Sequence, residues 1–383
     1  MLRTLRTWAF LILGAAALAA AGCTTNPASG DTEFNLYAPS DEIALGNRDH
    51  PSIIYMYDGE YHDPELVRYL GSIVMRIQQD SHRPDMPMDF TIVNSSVINA
   101  FAIPAHVYAT RGFLARLQNE AQFAAVMGHE LTHVAAGHSA RRLSQNMVVG
   151  LVSDLANSVV GTTTIAQAAL GASQLGVSLM GLSYSREQET QADRVGTYYM
   201  ALAGYDPNQA VAMQHLLESL SQHSGNILDR YLSTHPRTSD RVGQIESVIK
   251  EKHLERYVQG DGIYTERWNR HLAHLQEVDK TFGPYDKGTK ALAQKQYADA
   301  LAAADEALHM QSDQAPFYRL KGDALLGLGR TAEAKAAYNH ALKLDPRYVF
   351  AHLGLANAYN AEGDKAAVQN EVAQINRLLP GAI

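Results

Sequence analysis

Residues 286–383 repeat with a period of 34 residues, and this period constrains the fold more than any other feature of the sequence. When Pro346 is taken as the end of one unit, the offsets of a helix–turn–helix repeat fall on Tyr318, Gly322, Leu325, Gly329, Ala334, Tyr338 and Ala341. A shift of 34 residues pairs Ala334 with Ala300 and Ala341 with Ala307, small residues where two helices must approach closely. Such units cannot bury their apolar faces alone, so they stack into a solenoid.

The unit that ends at Pro346 resembles the tetratricopeptide repeat, and its neighbours match that pattern less closely, as terminal repeats often do. We therefore predict tetratricopeptide-like repeats over residues 286–383, with a concave surface suited to binding another polypeptide. A plain helical bundle is the alternative. A connector is expected over residues 261–285.

The first residues are typical of a secretory targeting segment. Arg3 and Arg6 precede the uncharged stretch 8–21, which is shorter than the roughly 20 apolar residues needed to span a membrane. The stretch leads to Cys23, the only cysteine in the sequence. Small residues before a cysteine resemble a bacterial lipobox, although Ala20 stands where the lipobox usually has leucine.

We predict a lipoprotein signal peptide over residues 1–22, acylation of Cys23, and a tether over residues 23–40 that is rich in small and polar residues. Thr24 follows the cysteine, and the absence of aspartate there resembles outer-membrane sorting. The expected location is the periplasm, with lipid chains in the inner leaflet of the outer membrane. Cleavage that leaves Cys23 as a free thiol is the alternative.

Composition excludes several classes of protein. The chain has 32 Lys and Arg against 40 Asp and Glu, a net charge of −8, which argues against nucleic-acid binding. A single cysteine excludes an internal disulfide framework and a cysteine-rich zinc module. The contents of 46% hydrophobic and 19% charged residues are those of an ordinary globular protein.

Residues 41–260 are predicted to form a mainly helical α+β domain with a small sheet. The apolar periodicity predicts helices over 41–83, 119–138 and 187–203, and strands over 90–93 and 105–110. The many polar residues within 144–185 favour two amphipathic helices packed over a core, rather than membrane helices.

The long helix contains His-Glu-Leu-Thr-His at residues 129–133. Four helical residues turn about 400° and rise roughly 6 Å, so His129 and His133 project from one face and can share a Zn²⁺ ion. Glu130 lies about 100° round the helix, near enough to act as general base on a metal-bound water. Hydrogen-bonded core histidines are the alternative.

A catalytic zinc needs a third protein ligand and an open position. Glu189 and Asp193 lie four residues apart on a second predicted helix. One carboxylate can bind the metal while the other accepts the ring N–H of a ligand histidine. The charge pattern alone fits equally well a solvated helix on which these acids face Arg186 and Arg194.

Three segments together resemble the zinc metallopeptidase family of HtpX, the CAAX prenyl proteases and the BepA-like periplasmic members that carry C-terminal tetratricopeptide repeats. These segments are residues 129–133, residues 184–193 and residues 99–104, and the resemblance spans about residues 41–248. It implies a zincin-like domain.

The same resemblance implies one Zn²⁺ per chain, held by His129, His133 and Glu189. Glu130 would be the general base, and Asp193 the second acidic residue of the site. We favour an orienting role for Asp193, because it is one turn from a ligand.

Three further histidines bear on the site. Thr234-His235-Pro236 resembles a family motif, so His235 is a candidate fourth ligand or oxyanion donor, with a histidine at a helix boundary as the alternative. Residues 99–108 are expected to form an edge strand to which an extended substrate adds. His106 stands where the family usually has glycine; an extra polar contact and an exposed strand residue are the alternatives, and we expect the exposed residue. His138, five residues after His133, is expected on the surface or outside the ligand shell.

The sequence thus predicts a periplasmic zinc endopeptidase for misfolded or stalled outer-membrane proteins, which the repeats would deliver. The expected partners are polypeptide substrates, outer-membrane proteins with their assembly machinery, and the membrane through the lipid anchor, but no nucleic acid. The alternative function is a chaperone or assembly adaptor with little or no proteolysis. A cell-wall zinc amidase is disfavoured, because a glutamate third ligand fits peptidases better.

Overall fold

The computed structural model describes residues 22–147, 179, 182–223, 228–236 and 240–380. The predicted signal peptide, apart from its last residue, and most of the two helices predicted within 144–185 lie outside these residues. Within the described residues, no helix combines the length and the apolar character needed to cross a bilayer.

Residues 23–40, which the sequence predicted as a tether, contain two short strands. Strands β1 (Cys23–Thr25) and β2 (Thr32–Phe34) pair in an antiparallel hairpin. The side chain of Asn26 is buried and donates to Glu33 at 2.8 Å, and the backbone N–H of Leu36 donates to Ser144 Oγ at 2.9 Å. The segment packs on the domain because its polar groups find hydrogen-bond partners there.

The helical pattern over 41–83 is divided between α1 (Pro39–Met56) and α2 (Pro64–Gln79). Between them Asp58 and Gly59 adopt positive φ angles of 65° and 93°, a left-handed conformation that ends a helix. Helix α2 begins as its sequence predicts: the side chain of Asp63 accepts a hydrogen bond from the Leu66 N–H at 2.9 Å, with proline in the first turn.

A three-stranded sheet lies beside these helices, formed by β3 (Asp89–Val93), β4 (Ala100–Ile103) and β5 (His106–Thr110) in the order β3-β5-β4. Strand β5 is parallel to β3 and antiparallel to β4. The sequence predicted a single edge strand over 99–108, whereas the structure has two strands there. The chain reverses between them at Pro104 and Ala105, and Ala105 adopts a φ angle of +73°. Of these two strands, β4 lies at an edge of the sheet and β5 occupies the centre.

Helix α3 (Arg111–Leu114) leads into α4 (Glu120–Ala135), whose 16 residues are all buried. Asn119 caps α4 by accepting a hydrogen bond from the Gln122 N–H. Helix α5 (Arg186–Leu202) packs against α4 and begins with a capping box formed by Ser185 and Gln188. Three further helices follow: α6 (Asn208–His223), α7 (Asp229–Thr234) and α8 (Arg241–Lys252).

The repeats are helical as predicted. Their helices are α9 (Thr265–Ala293), α10 (Tyr297–Met310), α11 (Ala315–Gly327), α12 (Thr331–Leu344), α13 (Val349–Glu362) and α14 (Lys365–Leu378). The small residues Ala300, Ala307, Ala334 and Ala341 are buried between helices. Most of the predicted connector belongs to α9, which runs without interruption into the repeats.

The repeats contact the first domain at Asp58. Its carboxylate accepts hydrogen bonds from the hydroxyls of Tyr285 and Tyr348, and Arg319 lies 3.8 Å away. The ring of Tyr55 in α1 stacks on Phe350 in α13, with centroids 4.5 Å apart. The turn that separates α1 from α2 is thus also the place where the repeats dock. The predicted fold class, a mainly helical α+β domain followed by a helical solenoid, is confirmed.

Candidate metal centre

Four buried side chains converge between α4, α5 and the end of α7: His129, His133, Glu189 and His235. One potential ligand atom from each lies within 4.8 Å of all the others. Nε2 of His129 and Nε2 of His133 are 3.1 Å apart, and Nδ1 of His235 lies 2.9 Å from Oε1 of Glu189. A tetrahedral ion with bonds of about 2.0–2.1 Å places neighbouring ligand atoms roughly 3.3 Å apart, so these residues fit a metal.

Two glycines allow helix α5, which carries Glu189, to come close to helix α4, which carries His129 and His133. A Cβ atom on Gly196 would lie 2.5 Å from the backbone nitrogen of His129, and one on Gly128 would lie 2.4 Å from the carbonyl oxygen of Gly196. Helices α4 and α5 can therefore cross at this distance only because both residues lack side chains. The close crossing brings Glu189 within reach of both motif histidines. Neither glycine was predicted to matter from the sequence, although Gly128 immediately precedes the motif.

Asp193 lies beside the cluster. Its carboxylate accepts from His129 Nδ1 at 3.0 Å and from Arg241 Nε and Nη2 at 2.7 and 2.6 Å. Burial acts to raise the pKa of Asp193, but the His129 hydrogen bond and the Arg241 charge outweigh it and lower that pKa below its usual value. An ionised Asp193 holds the proton of His129 on Nδ1 and leaves Nε2 facing the cluster.

Glu130 is fully buried beside the four convergent residues. Among the described residues, neither of its carboxylate oxygens has a hydrogen-bond partner, and Oε1 lies 3.6 Å from His235 Nε2. Burial raises the pKa of Glu130, although the nearby histidines oppose the shift. A carboxylate with unused acceptor capacity and a raised pKa is suited to accept a proton.

His133 is oriented by residues on its outer side. Its ring stacks on Tyr184 at 3.7 Å, and its Nδ1 lies 2.8 Å from Nδ1 of His138, whose Nε2 contacts Gln191 Oε1 at 2.9 Å. Burial lowers the pKa of His138 to about 4, so its ring is neutral at pH 7. Because Gln191 Oε1 only accepts, His138 carries its proton on Nε2 and its Nδ1 accepts a hydrogen bond from the Nδ1–H of His133, which leaves His133 Nε2 free for a metal.

The structure excludes the surface position that was one of the two expectations for His138, which is 1% exposed. Helix α4 ends at Ala135, and Gly137 adopts a φ of +66°. Helix α4 therefore does not continue to His138. The chain bends back at this turn and carries the ring of His138 to His133.

His235 is a member of the cluster and is fully buried. Its ring stacks on Tyr231 with centroids 4.8 Å apart, and the carbonyl of Thr234 accepts from the Tyr184 N–H at 3.1 Å. These contacts hold the end of α7 against the segment that precedes α5.

The expectation that His106 is exposed was wrong. The side chain is 7% exposed, stacks on His50 with centroids 4.2 Å apart, and contacts Asn47 Oδ1 through Nε2 at 2.9 Å. His106 lies on the central strand, and α1 covers it. That helix comes close because Gly46 lacks a side chain: a Cβ there would lie 1.8 Å from the carbonyl oxygen of Pro104.

The burial of His106 makes stability depend on pH. Burial, together with the neighbouring His50, lowers the pKa of His106 to about 4, whereas the unfolded chain binds this proton at the ordinary value of about 6.5. The free energy of unfolding should therefore fall as the pH drops from 6.5 to about 4, by on the order of 2 kcal/mol from this residue. Urea unfolding near pH 7 and near pH 4.5 measures it.

His106→Gln keeps a donor for Asn47 but does not titrate in this range. The variant should lose less stability than the wild type between the two pH values. An equal loss in both proteins would show that His106 does not contribute.

The buried histidine and glutamate cluster between two crossed helices, with an unpartnered carboxylate beside it, fits a metal-dependent hydrolase. Residues 64–249 match Peptidase family M48, and residues 285–346 and 319–367 match the tetratricopeptide repeat. The chain thus contains an M48 peptidase domain followed by tetratricopeptide repeats. The resemblance inferred from the motifs is confirmed.

Two curated relatives illustrate the similarity. The beta-barrel assembly-enhancing protease of Escherichia coli (strain K12) is 26% identical over 334 residues, which cover 80% of this chain and 68% of the relative. The mitochondrial metalloendopeptidase OMA1 of Schizosaccharomyces pombe is 29% identical over 209 residues, which cover 54% of this chain and 59% of the relative.

Proposed function

We propose that the chain is a periplasmic, lipid-anchored zinc endopeptidase that degrades misfolded or stalled outer-membrane proteins. The observation that carries the proposal is the convergence of His129, His133 and Glu189 beside the unpartnered carboxylate of Glu130. His and Glu donors in this number are a catalytic zinc set that leaves one position for water or substrate.

His129, His133 and Glu189 would hold the zinc, which supplies Lewis acidity and a nucleophilic water at neutral pH. Glu130 accepts the proton of the attacking water and passes it to the leaving amine. Asp193 and His138 keep the protons of the two histidines on Nδ1, away from the cluster.

His235 has two roles that its position supports. In the arrangement described, its Nδ1 lies among the other donor atoms, which fits a fourth ligand that keeps the resting enzyme latent. Its Nε2 points toward Glu130 at 3.6 Å, so after displacement by substrate the ring would donate to the developing oxyanion.

The proposed substrate class rests on the similarity to the relatives and on the predicted cellular location of the protein. The name of the Escherichia coli relative connects it with β-barrel assembly. The N-terminal lipobox-like segment and the exposed Cys23 support an anchor at the membrane where such barrels assemble. The repeats would bind a client or its assembly machinery on their concave face.

Metal removal tests the proposal. A chelator should abolish cleavage of an unfolded outer-membrane β-barrel protein by the full-length enzyme, because no other described group can replace the Lewis acid. One equivalent of Zn²⁺ should restore cleavage, and Mg²⁺, which prefers oxygen ligands, should not. Full activity after metal removal would contradict the zinc mechanism.

The repeats support a second candidate, a chaperone or assembly adaptor that holds clients with little proteolysis. In that case a chelated enzyme would still prevent aggregation of the unfolded β-barrel protein. The two functions are separated by comparing client turnover with client holding in the same preparation.

A further inference from the structure

A cleft opens directly beside the metal cluster, between edge strand β4 and helix α7. His235 forms its border with the cluster. Its lining includes the apolar side chains of Phe101, Ile103 and Leu182 and the polar side chains of Asn99, Arg230 and Thr234.

The position of the cleft follows from the alternation of side chains along the strand. Asn99, Phe101 and Ile103 alternate along the chain at β4 and line the cleft, whereas Ala100 between them belongs to the core. Among the described strands β4 pairs only with β5, so its outer edge can bind an extended peptide. A side chain of that peptide would enter the cleft next to the cluster.

Asn99, which lines the cleft, has one buried polar atom that lacks a hydrogen-bond partner among the described residues. The side chain of Asn99 donates through Nδ2 to the Tyr57 hydroxyl at 2.7 Å, but among the described residues its Oδ1 accepts nothing. Asn99 is 2% exposed, so water compensates poorly for this missing bond. Arg230 approaches the same hydroxyl through Nε at 3.4 Å and brings positive charge to the cleft.

We propose that this cleft is a specificity subsite for a tyrosine side chain of the polypeptide substrate, beside the scissile bond. The ring packs against Phe101, Ile103 and Leu182, and the hydroxyl donates to Asn99 Oδ1 while it accepts from Arg230. The subsite rests on the proposed peptidase function and adds to it the residue type that the enzyme selects.

The alternatives satisfy the cleft less well. Phenylalanine or leucine would fill the apolar space but bury Asn99 Oδ1 without a donor. A lysine side chain would be repelled by the positive charge of Arg230. A carboxylate would be repelled by the oxygen of Asn99. A phenol both donates and accepts, so it pairs with Asn99 in either orientation of the amide group.

Binding to the full-length Glu130→Gln protein tests the subsite without relying on cleavage. The probes are two fluorescein-labelled peptides of alanine and serine that differ only in one central residue, tyrosine or phenylalanine. Fluorescence anisotropy should show the tyrosine peptide binding about tenfold more tightly, the effect of one buried hydrogen bond gained over one unmet acceptor. Equal affinities, tighter binding of phenylalanine, or no binding of either peptide would overturn the subsite.

Asn99→Leu in the same background should bring the two peptides to equal affinity, because it removes the acceptor and leaves an apolar wall. Preserved discrimination in this variant would overturn the assignment to Asn99. The comparison of the two peptides in the Glu130→Gln protein decides the proposal by itself. It still tests the subsite if the Asn99→Leu variant fails to fold.

Failure of the subsite and failure of the peptidase function are distinguishable. If the wild-type enzyme cleaves both peptides equally well, hydrolysis stands and the subsite falls. If Glu130→Gln discriminates between the peptides but the wild type cleaves neither, the subsite stands and the hydrolytic proposal falls.

Discussion

Replacing Glu130 with glutamine is expected to reduce peptide turnover by roughly 10²–10⁴-fold, the usual contribution of a positioned general base. Glutamine keeps the shape of the side chain but cannot accept a proton at neutral pH. The carboxylate of Glu130 is buried without a hydrogen-bond partner among the described residues, so its loss should not lower the thermal unfolding temperature. Turnover of a quenched peptide, zinc content and thermal unfolding together measure this prediction.

Glu187→Gln is the matched control, because it makes the same chemical change on an exposed residue of α5. This control should retain full turnover. If Glu130→Gln also retained full turnover and zinc, Glu130 would not be the general base.

Replacing Gly196 with alanine is expected to disrupt the metal centre from outside it. The added Cβ would lie 2.5 Å from the His129 nitrogen, so α4 and α5 must separate by roughly 1 Å at their crossing. Glu189 lies on α5 with Gly196, so its carboxylate would then be too far from the histidines on α4 to share an ion with them. Zinc affinity should fall by about tenfold or more, and stability by about 1–3 kcal/mol.

Gly71→Ala is the matched control in the interior of α2, where the new Cβ would come no closer than 3.8 Å to its nearest neighbour, Phe90. Alanine favours a helix over glycine by up to about 1 kcal/mol, so this variant should be neutral or slightly stabilised. Competition with a chromophoric zinc chelator and urea unfolding compare the two variants. Wild-type zinc affinity in Gly196→Ala would show that the crossing distance does not set the site.

The parts of the fold that sequence predicted well are those governed by local rules. The spacing of His129 and His133 fixes their common helical face, and the 34-residue period fixes the stacking of the repeats around small residues such as Ala334. The start of α2 at Asp63 and Pro64 follows from capping, which involves only neighbouring residues.

The parts that sequence missed depend on contacts between distant segments. Nothing local distinguishes Gly128 and Gly196 from other glycines, and only the crossing of α4 with α5 shows why a side chain is excluded there. His106 was expected at an edge, yet the turn at Ala105 moves it to the centre of the sheet under α1. His138 follows a turn that a helical extrapolation cannot anticipate.

The contact at Asp58 also could not be read from the sequence. Its partners Tyr285 in α9, Arg319 in α11 and Tyr348 just before α13 meet only after the solenoid has formed. The same turn carries Tyr57, which lines the proposed tyrosine subsite. Docking of the repeats and the shape of the substrate cleft thus share one short segment of the chain.

Zinc analysis of the purified full-length protein beside its Glu189→Ala variant, with Glu187→Ala as control, tests the central claim most directly. Glu189 is fully buried among the donor atoms, whereas Glu187 is exposed on the same helix. After dialysis against a weak chelator, the wild type and the Glu187→Ala control should keep about one zinc per chain, and Glu189→Ala should lose most of it. Equal and full zinc content in all three proteins would contradict Glu189 as a ligand and, with it, the metal centre proposed here.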